Sequence, residues 1–241
     1  MENNIIKIPI YIVCYNNGIY VENTVKQLKN KNIPCDQINI INNNSTGKET
    51  IEILSNLSKS YNIINTESNL GHKVWTNPFI WDTLPEYFIV TDPDLEYNDQ
   101  LPVNFIDILY EISNLYNIPK TGFALNIEAP DIFNQHDYAE GRYNIKEWES
   151  RFWTKPVGKY KNLELYEADI DTTFFLGRKS KFTNDYYTNT RNIRVASNFT
   201  CKHLPWHIEH NNTLNRSTLL ELYSGNDIST TCKIIRNYYK F

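Results

Sequence analysis

Apolar and polar positions fall in alternating blocks along the first ninety residues, and the blocks predict strands alternating with helices. Residues 8–14, IPIYIVC, are a short run of β-branched and aromatic residues that ends at Tyr15, Asn16 and Asn17, as a fully buried strand does when it opens into a polar loop. Segment 21–30 sets Val21, Val25 and Leu28 at helical spacing, and INII at 38–41 is a second strand that ends in NNNSTG. Ile51, Leu54 and Leu57 predict a helix over 48–60, and residues 60–67 predict a third strand leading into NLGHK. The most strand-like run, YFIVT at 87–91, turns polar at once into TDPDLE. This rhythm predicts an α/β fold built on a Rossmann-like doubly wound sheet, in which ligands gather beyond the carboxyl ends of the strands. Four polar loops occupy that position: YNN, NNNST, NLGHK and TDPD.

Beyond residue 95 the rhythm changes. Phe105, Ile108, Leu109, Ile112 and Leu115 mark an amphipathic helix over 103–116, and GFALNI predicts a strand at 122–127. Residues 128–160 read as aromatic, polar and irregular. Two more strands are expected at 163–167 and 172–177, flanking the acidic turn Ala168-Asp169-Ile170-Asp171, and the tail from 217 carries a short helix. A chain of 241 residues with no repeat or linker fits a single domain.

Composition narrows the classes. A 41% hydrophobic and 14% aromatic chain can build a core and still line a cleft. A net charge of −4, with no block of Lys or Arg, argues against nucleic acid as a partner. The four cysteines form no CxxC pair, which points to a reducing compartment. No apolar run has the shape of a secretory signal or the length of a membrane span, so a soluble, cytoplasmic protein is expected.

Asp92 and Asp94 stand one residue apart at the end of an apolar strand, where their combined charge calls for a cation. Hard oxygen ligands select Mn²⁺ or Mg²⁺, ions that are readily shared with phosphate oxygens and that stabilise a departing nucleoside diphosphate. A solvated acidic turn is the competing reading, since Pro93 and the following LEYND also suit a loop.

The order of the motifs resembles the GT-A glycosyltransferases, family 2 in particular. Residues 8–17 resemble their first strand and turn, 40–46 (IINNNST) their Asp-Asn-x-Ser-Thr loop, 69–77 (NLGHKVWTN) their Asn-x-Gly segment, and 91–94 their metal-binding D-x-D. The similarity spans residues 8–95, with a looser match over 169–207. It implies one GT-A domain over 1–241, with a mixed sheet flanked by helices. Residues 1–100 would be the nucleotide-sugar-binding half, and 101–241 the acceptor-binding half and C-terminal tail.

The same resemblance implies donor contacts from Cys14, Tyr15, Asn16, Asn42, Asn44, Lys73, Asn77 and Asp92, with a UDP-sugar favoured. Asn42 replaces the Asp usual in the family; it keeps a carbonyl acceptor for the nucleobase but loses charge assistance. An inverting transferase needs a carboxylate to take the acceptor's proton, and the resemblance points to the 169–171 turn, with Asp171 favoured over Asp169. A late His that reaches the metal is expected at His203 or His207. Pro205 between them argues against a helical zinc pair, and burial of His203 beside Trp206 is the alternative. Tyr143, Trp148 and Trp153 are candidates to stack on acceptor sugars, against a bland reading as local core.

The expected activity is metal-dependent transfer of a hexose-type sugar from a nucleoside-diphosphate sugar to a hydroxyl of a glycan or other acceptor, with inversion. Two alternatives stand beside it. A nucleotidyltransferase would want a Gly-rich basic loop after the first strand, where this chain has only Gly18. A catalytically degenerate glycan-binding module is kept open by Asn42.

Overall fold

Every residue of Ile10–Cys14 is buried, so this first strand has apolar layers on both faces and belongs at the centre of a sheet. The computed structural model describes residues 7–183, 191–225 and 229–241. Residues 184–190, inside the looser 169–207 similarity, lie outside the described residues.

In chain order the elements are β1 (Ile10–Cys14), α1 (Gly18–Asn30), β2 (Ile38–Asn42), α2 (Lys48–Leu57), β3 (Asn62–Asn65), α3 (Pro78–Trp81), β4 (Tyr87–Thr91) and β5 (Leu95–Glu96). There follow α4 (Phe105–Tyr116), β6 (Lys120–Leu125), α5 (Ile145–Ser150), β7 (Pro156–Tyr160), β8 (Leu163–Glu167), β9 (Phe175–Arg178) and β10 (Ile193–His203), and then α6 (Ile208–Thr213), α7 (Arg216–Ser224) and α8 (Thr230–Tyr239). The strands join in the order β3-β2-β1-β4-β9-β6-β10-β8-β7, with β5 pairing β10. β1 to β4 run parallel, as the βαβ rhythm requires. β9 enters antiparallel between β4 and β6, and β8 and β7 close the far edge antiparallel, so the sheet is mixed.

Alternation along β1 divides the core in two. Ile10, Ile12 and Cys14 face a cluster containing Val21 and Leu28 of α1, Leu109 of α4 and Ile235 of α8. Tyr11 and Val13 face the other cluster, with Trp75, Phe88, Val90 and Phe175. The tail closes back on the first half: Glu221 of α7 accepts from the backbone N–H groups of Glu49 and Thr50 at 3.0 and 2.7 Å. A carboxylate there satisfies the first turn of α2, whose own N-cap, Gly47, offers no side chain.

Several expectations shift. The first helix starts at Gly18 and not at 21, and the strand expected at 122–127 runs 120–125. The strand expected at 172–177 begins only at Phe175, because Thr172 is engaged with Asp92 in the loop after β4 instead. The region read as irregular contains α5, begun by a capping box of Asn144 and Glu147, and β7. β10 was not anticipated. Its eleven residues break the period-two pattern at Ser197, whose φ is 62°, and the register with β6 slips between Val195 and Thr200. Two helices, α7 and α8, stand where one short helix was expected in the tail from 217, and α6 precedes them unanticipated. No described helix is long and apolar enough to cross a membrane.

Candidate functional site

The acidic loop after β4 is held from three directions. Asp92 donates its backbone N–H to the carbonyl of Thr172 at 2.8 Å and accepts the Thr172 hydroxyl on Oδ2 at 2.5 Å. Thr24 of α1 donates to the carbonyl of Pro93. Leu204 donates its N–H to the carbonyl of Asp94 at 2.8 Å, and β5 pairs Leu95 with His203 at the end of β10. Chain segments from three other parts of the sequence therefore fix where the two carboxylates lie.

Both carboxylates are half-buried. Burial, and then the charge of Asp94, push the Asp92 carboxyl well above the usual carboxylate range. His203 Nε2 lies 3.4 Å from Asp94 Oδ2, and its ring packs on Trp206 at 4.6 Å. Burial lowers the His203 pKa, which favours a neutral imidazole. Asp94 Oδ1 and His203 Nδ1 are buried and have no hydrogen-bond partner. A desolvated carboxylate oxygen with no donor is suited to a hard cation. Among the described residues no group of three or more His, Cys, Asp or Glu could hold an ion by itself. A cation at Asp92 and Asp94 fits if its remaining ligands are water and phosphate oxygens, the manner in which Mg²⁺ is usually bound.

His207 stands apart from His203. It precedes α6, and its Nδ1 is 3.0 Å from Asp131 Oδ1, while Nε2 is buried without a partner. The two imidazoles do not share a helix face, as Pro205 indicated.

The second acidic turn is built differently. Ile170 is buried and anchors it, while Asp169 and Asp171 are exposed on either side. The Ile170 carbonyl accepts from Lys120 Nζ at 2.8 Å, and the Asp169 carbonyl accepts from Arg194 Nε at 2.8 Å. Lys120 is 1% exposed, with its ammonium 4.6 Å from the Phe175 ring centre and 5.3 Å from that of Trp75. Burial lowers its pKa to about 8 against the attraction of Asp171 and Asp169. Asp171 Oδ1 lies 3.7 Å from His72 Nε2, so the 69–73 loop faces this turn. The sequence reading missed Lys120. Its one local signal is position, since it opens a strand that runs on into the apolar Phe123, Ala124 and Leu125.

The loops after β1, β2 and β3 interlock. Asn16, at φ 53°, accepts from the N–H groups of Thr46 and Gly47 at 2.7 and 2.8 Å. Cys14 is wholly buried and its thiol, 3.8 Å from Ser45 Oγ, is pushed up to about 11 by burial. Tyr15 reaches the Gly225 carbonyl at 3.4 Å. Asn42 donates to Asn65 and accepts from the Ser45 N–H, and Asn44 adopts φ 59°. Asn43, absent from the sequence candidates, is the staple: it is 1% exposed, donates to Asn69 and Gly71, and accepts from Leu70 and Thr66. Lys73 is exposed, and the Asn77 side chain caps α3 through the Phe79 N–H.

Tyr143, Trp148 and Trp153 are half-buried. Tyr143 and Trp148 lie 6.1 Å apart, and the Arg151 guanidinium sits 3.5 Å over the Trp148 ring; Trp153 meets Tyr166 edge-on. Beside them opens a cleft of about 540 Å³ whose wall includes Asp169.

A sequence profile described as Glycosyl transferase family 2 matches residues 10–183. No curated protein sequence matches the chain. Among solved structures, the mannosyltransferase PcManGT of Pyrobaculum calidifontis, in complex with GDP-Man and Mn²⁺, superposes with a TM-score of 0.52 at 10% identity, covering 96% of this chain and 68% of that one. Residues 1–349 of S. aureus TarS in complex with UDP-GlcNAc superpose with a TM-score of 0.50 at 11% identity, covering 97% and 72%. At such identities the likeness speaks for a shared fold.

Proposed function

The chain belongs to glycosyl transferase family 2 and folds as a GT-A glycosyltransferase, and from that premise we propose that it uses Mn²⁺ or Mg²⁺ to move a hexose-type sugar from a UDP-sugar to a hydroxyl of a glycan or other acceptor, with inversion. The observation that carries this reading is the stitching of Asp92 to Thr172, which sets the half-buried pair Asp92–Asp94 beside the turn bearing Asp171. A leaving diphosphate and an attacking hydroxyl need such neighbouring groups, one to hold charge and one to accept a proton.

In this reading Asp94 Oδ1 and Asp92 hold the cation, and Thr172 orients Asp92 through its hydroxyl. The ion supplies Lewis-acid stabilisation of the departing nucleoside diphosphate. Asp171 accepts the proton of the acceptor hydroxyl, and Lys120 holds the turn through Ile170, so that the carboxylate stays in register with β4. His203, neutral and against Asp94, restricts that carboxylate's orientation and offers a nitrogen to the site; His207 lies one step further out. Residues 1–100 bind the donor and 101–241 the acceptor. The interlocked loops around Asn16, Asn42 and Asn43 form the floor for the nucleoside, with Asn44, Lys73 and Asn77 at its rim. Support for a metal and a nucleotide-sugar comes from neighbours solved in complex with GDP-Man and Mn²⁺ and with UDP-GlcNAc.

A panel of nucleotide-sugars, tested by thermal shift with and without Mn²⁺, decides the matter. A UDP-sugar should raise the melting temperature only when Mn²⁺ or Mg²⁺ is present, and turnover should release a nucleoside diphosphate. No shift from any donor in either condition would overturn the proposal.

A further inference from the structure

The cleft beside the acidic turn has a chemistry of its own. Arg151, Lys155 and Arg191 project toward a space of about 540 Å³ whose wall also carries Glu167, Asp169 and Asn192. Among the described residues three cations thus face two carboxylates, in a chain of net charge −4. Arg191 is bound to Glu167 at 2.6 Å. Arg151 is held 3.5 Å over the Trp148 ring and donates through Nε to the Trp148 carbonyl at 3.0 Å, so its direction is set by packing. Behind the wall, buried Arg194 is matched by Glu149 and adds no net charge.

Asn192 gives the second sign of a ligand. It is 4% exposed, it lines the cleft, and its Oδ1 has no hydrogen-bond partner. A buried amide oxygen in that state calls for an O–H or N–H donor. Cations for an anion and an acceptor for a hydroxyl, in one cleft, define a hydroxylated molecule that carries negative charge.

Resting on the glycosyltransferase reading above, we infer that this cleft is the acceptor subsite and that it takes a sugar or polyol bearing a phosphate or carboxylate. Asp169 lines the cleft and Asp171, the proposed base, stands two residues on, at most about 7 Å away along the backbone. A single ring or short polyol bridges that distance, with its anion among Arg151, Lys155 and Arg191 and a neighbouring hydroxyl toward Asp171. Lys155 is exposed and its side chain is not part of the core, so it is the position at which the electrostatic requirement can be reversed without disturbing packing.

The test is equilibrium binding to the full chain, followed by tryptophan fluorescence, of glucose 6-phosphate, glucuronate, inorganic phosphate and methyl glucoside. At low salt at least one of the two anionic sugars should bind about tenfold or more tightly than methyl glucoside, and the advantage should shrink in 0.5 M NaCl. Which anionic sugar binds better distinguishes a phosphorylated from a carboxylated acceptor, and inorganic phosphate should bind more weakly than glucose 6-phosphate because it lacks a hydroxylated ring that can reach from the cations to Asn192. Lys155→Glu should abolish the preference for anions and Lys155→Arg should keep it. Equal affinity for charged and neutral sugars, no binding of any of them, or a preference that survives Lys155→Glu overturns the inference. Nucleotide-sugar and Mn²⁺ titrated in parallel into the wild-type protein separate the two readings: donor binding without anion binding sinks the subsite alone. Anion binding without donor binding sinks its role as an acceptor site together with the transferase proposal.

Discussion

Two turns of this chain carry the same spelling, Asp-x-Asp, at 92–94 and at 169–171, and the fold sets them in opposite environments. In the first, Pro93 and both carboxylates are drawn inward; the Asp94 side chain is only 17% exposed and one of its oxygens has no donor. In the second, Ile170 alone is buried and Asp171 stands 61% exposed. The difference teaches how one motif can serve two kinds of chemistry. Carboxylates forced together away from water call for a shared proton or a cation, whereas carboxylates raised into solvent on a buried apolar anchor can be reached by a substrate hydroxyl.

The largest test of that contrast is Asp94→Ala, which should lower transfer at least about 10³-fold and remove any dependence of donor binding on Mn²⁺. Retention of turnover within tenfold would show that the buried pair is not where a cation acts. At the exposed turn, Asp171→Asn should cost about 10²-fold in kcat with donor KM nearly unchanged, and Asp169→Asn far less. If the two variants exchange effects in steady-state kinetics, the base is Asp169 and the 169–171 turn faces the acceptor the other way round.

The link between the turns is the next target. Thr172→Val keeps shape but strips Asp92 Oδ2 of its donor, and should cost about 1–3 kcal/mol of stability by denaturant titration at neutral pH. A neutral result would mean that the two turns are held together by backbone alone.

The smallest effect concerns Lys120. Burial brings its pKa from the ordinary 10.5 to about 8. Between those values the unfolded chain binds more protons than the folded one, so the stability contributed by this group rises with pH across that window and is least favourable below about 8. Urea unfolding at pH 7.5 and 9.5 should show wild type gaining on Lys120→Met by on the order of 1–2 kcal/mol. A difference that is flat or falls with pH would place the ammonium in water, and the turn's anchor elsewhere.

The first half of the fold was readable because its signals are local. β1, β2, β4, α2 and α4 are marked by runs or by helical spacing within a dozen residues; burial follows the pattern in the strands, whereas Ile51 of α2 and Leu115 of α4 stay exposed. β10 escaped because a left-handed residue and a register slip destroy its alternation, although it is the longest strand. α5 carries a legible capping box, Asn144 with Glu147, which the surrounding aromatics concealed. In the site, Asp92, Asp94 and the 169–171 turn stood out as acidic residues beside strands. Thr172, Asn43 and Asn192 did not, since nothing in their neighbours along the chain distinguishes them from ordinary loop or strand residues, and Lys120 had only its position at the start of a strand.

What the sequence determined unaided was the α/β rhythm, the order of the polar loops at one sheet edge, and the presence of carboxylates in two of the turns. These depend on hydrophobic periodicity and on residue type, which are properties of short windows. Only the tertiary structure decided that one acidic turn is buried and the other exposed, because burial depends on what packs above it. The Asp92–Thr172 contact spans 80 residues and the Lys120–Ile170 contact 50. Bonds of that range are set by the crossing of β9 between β4 and β6, an arrangement that no local pattern of the chain encodes.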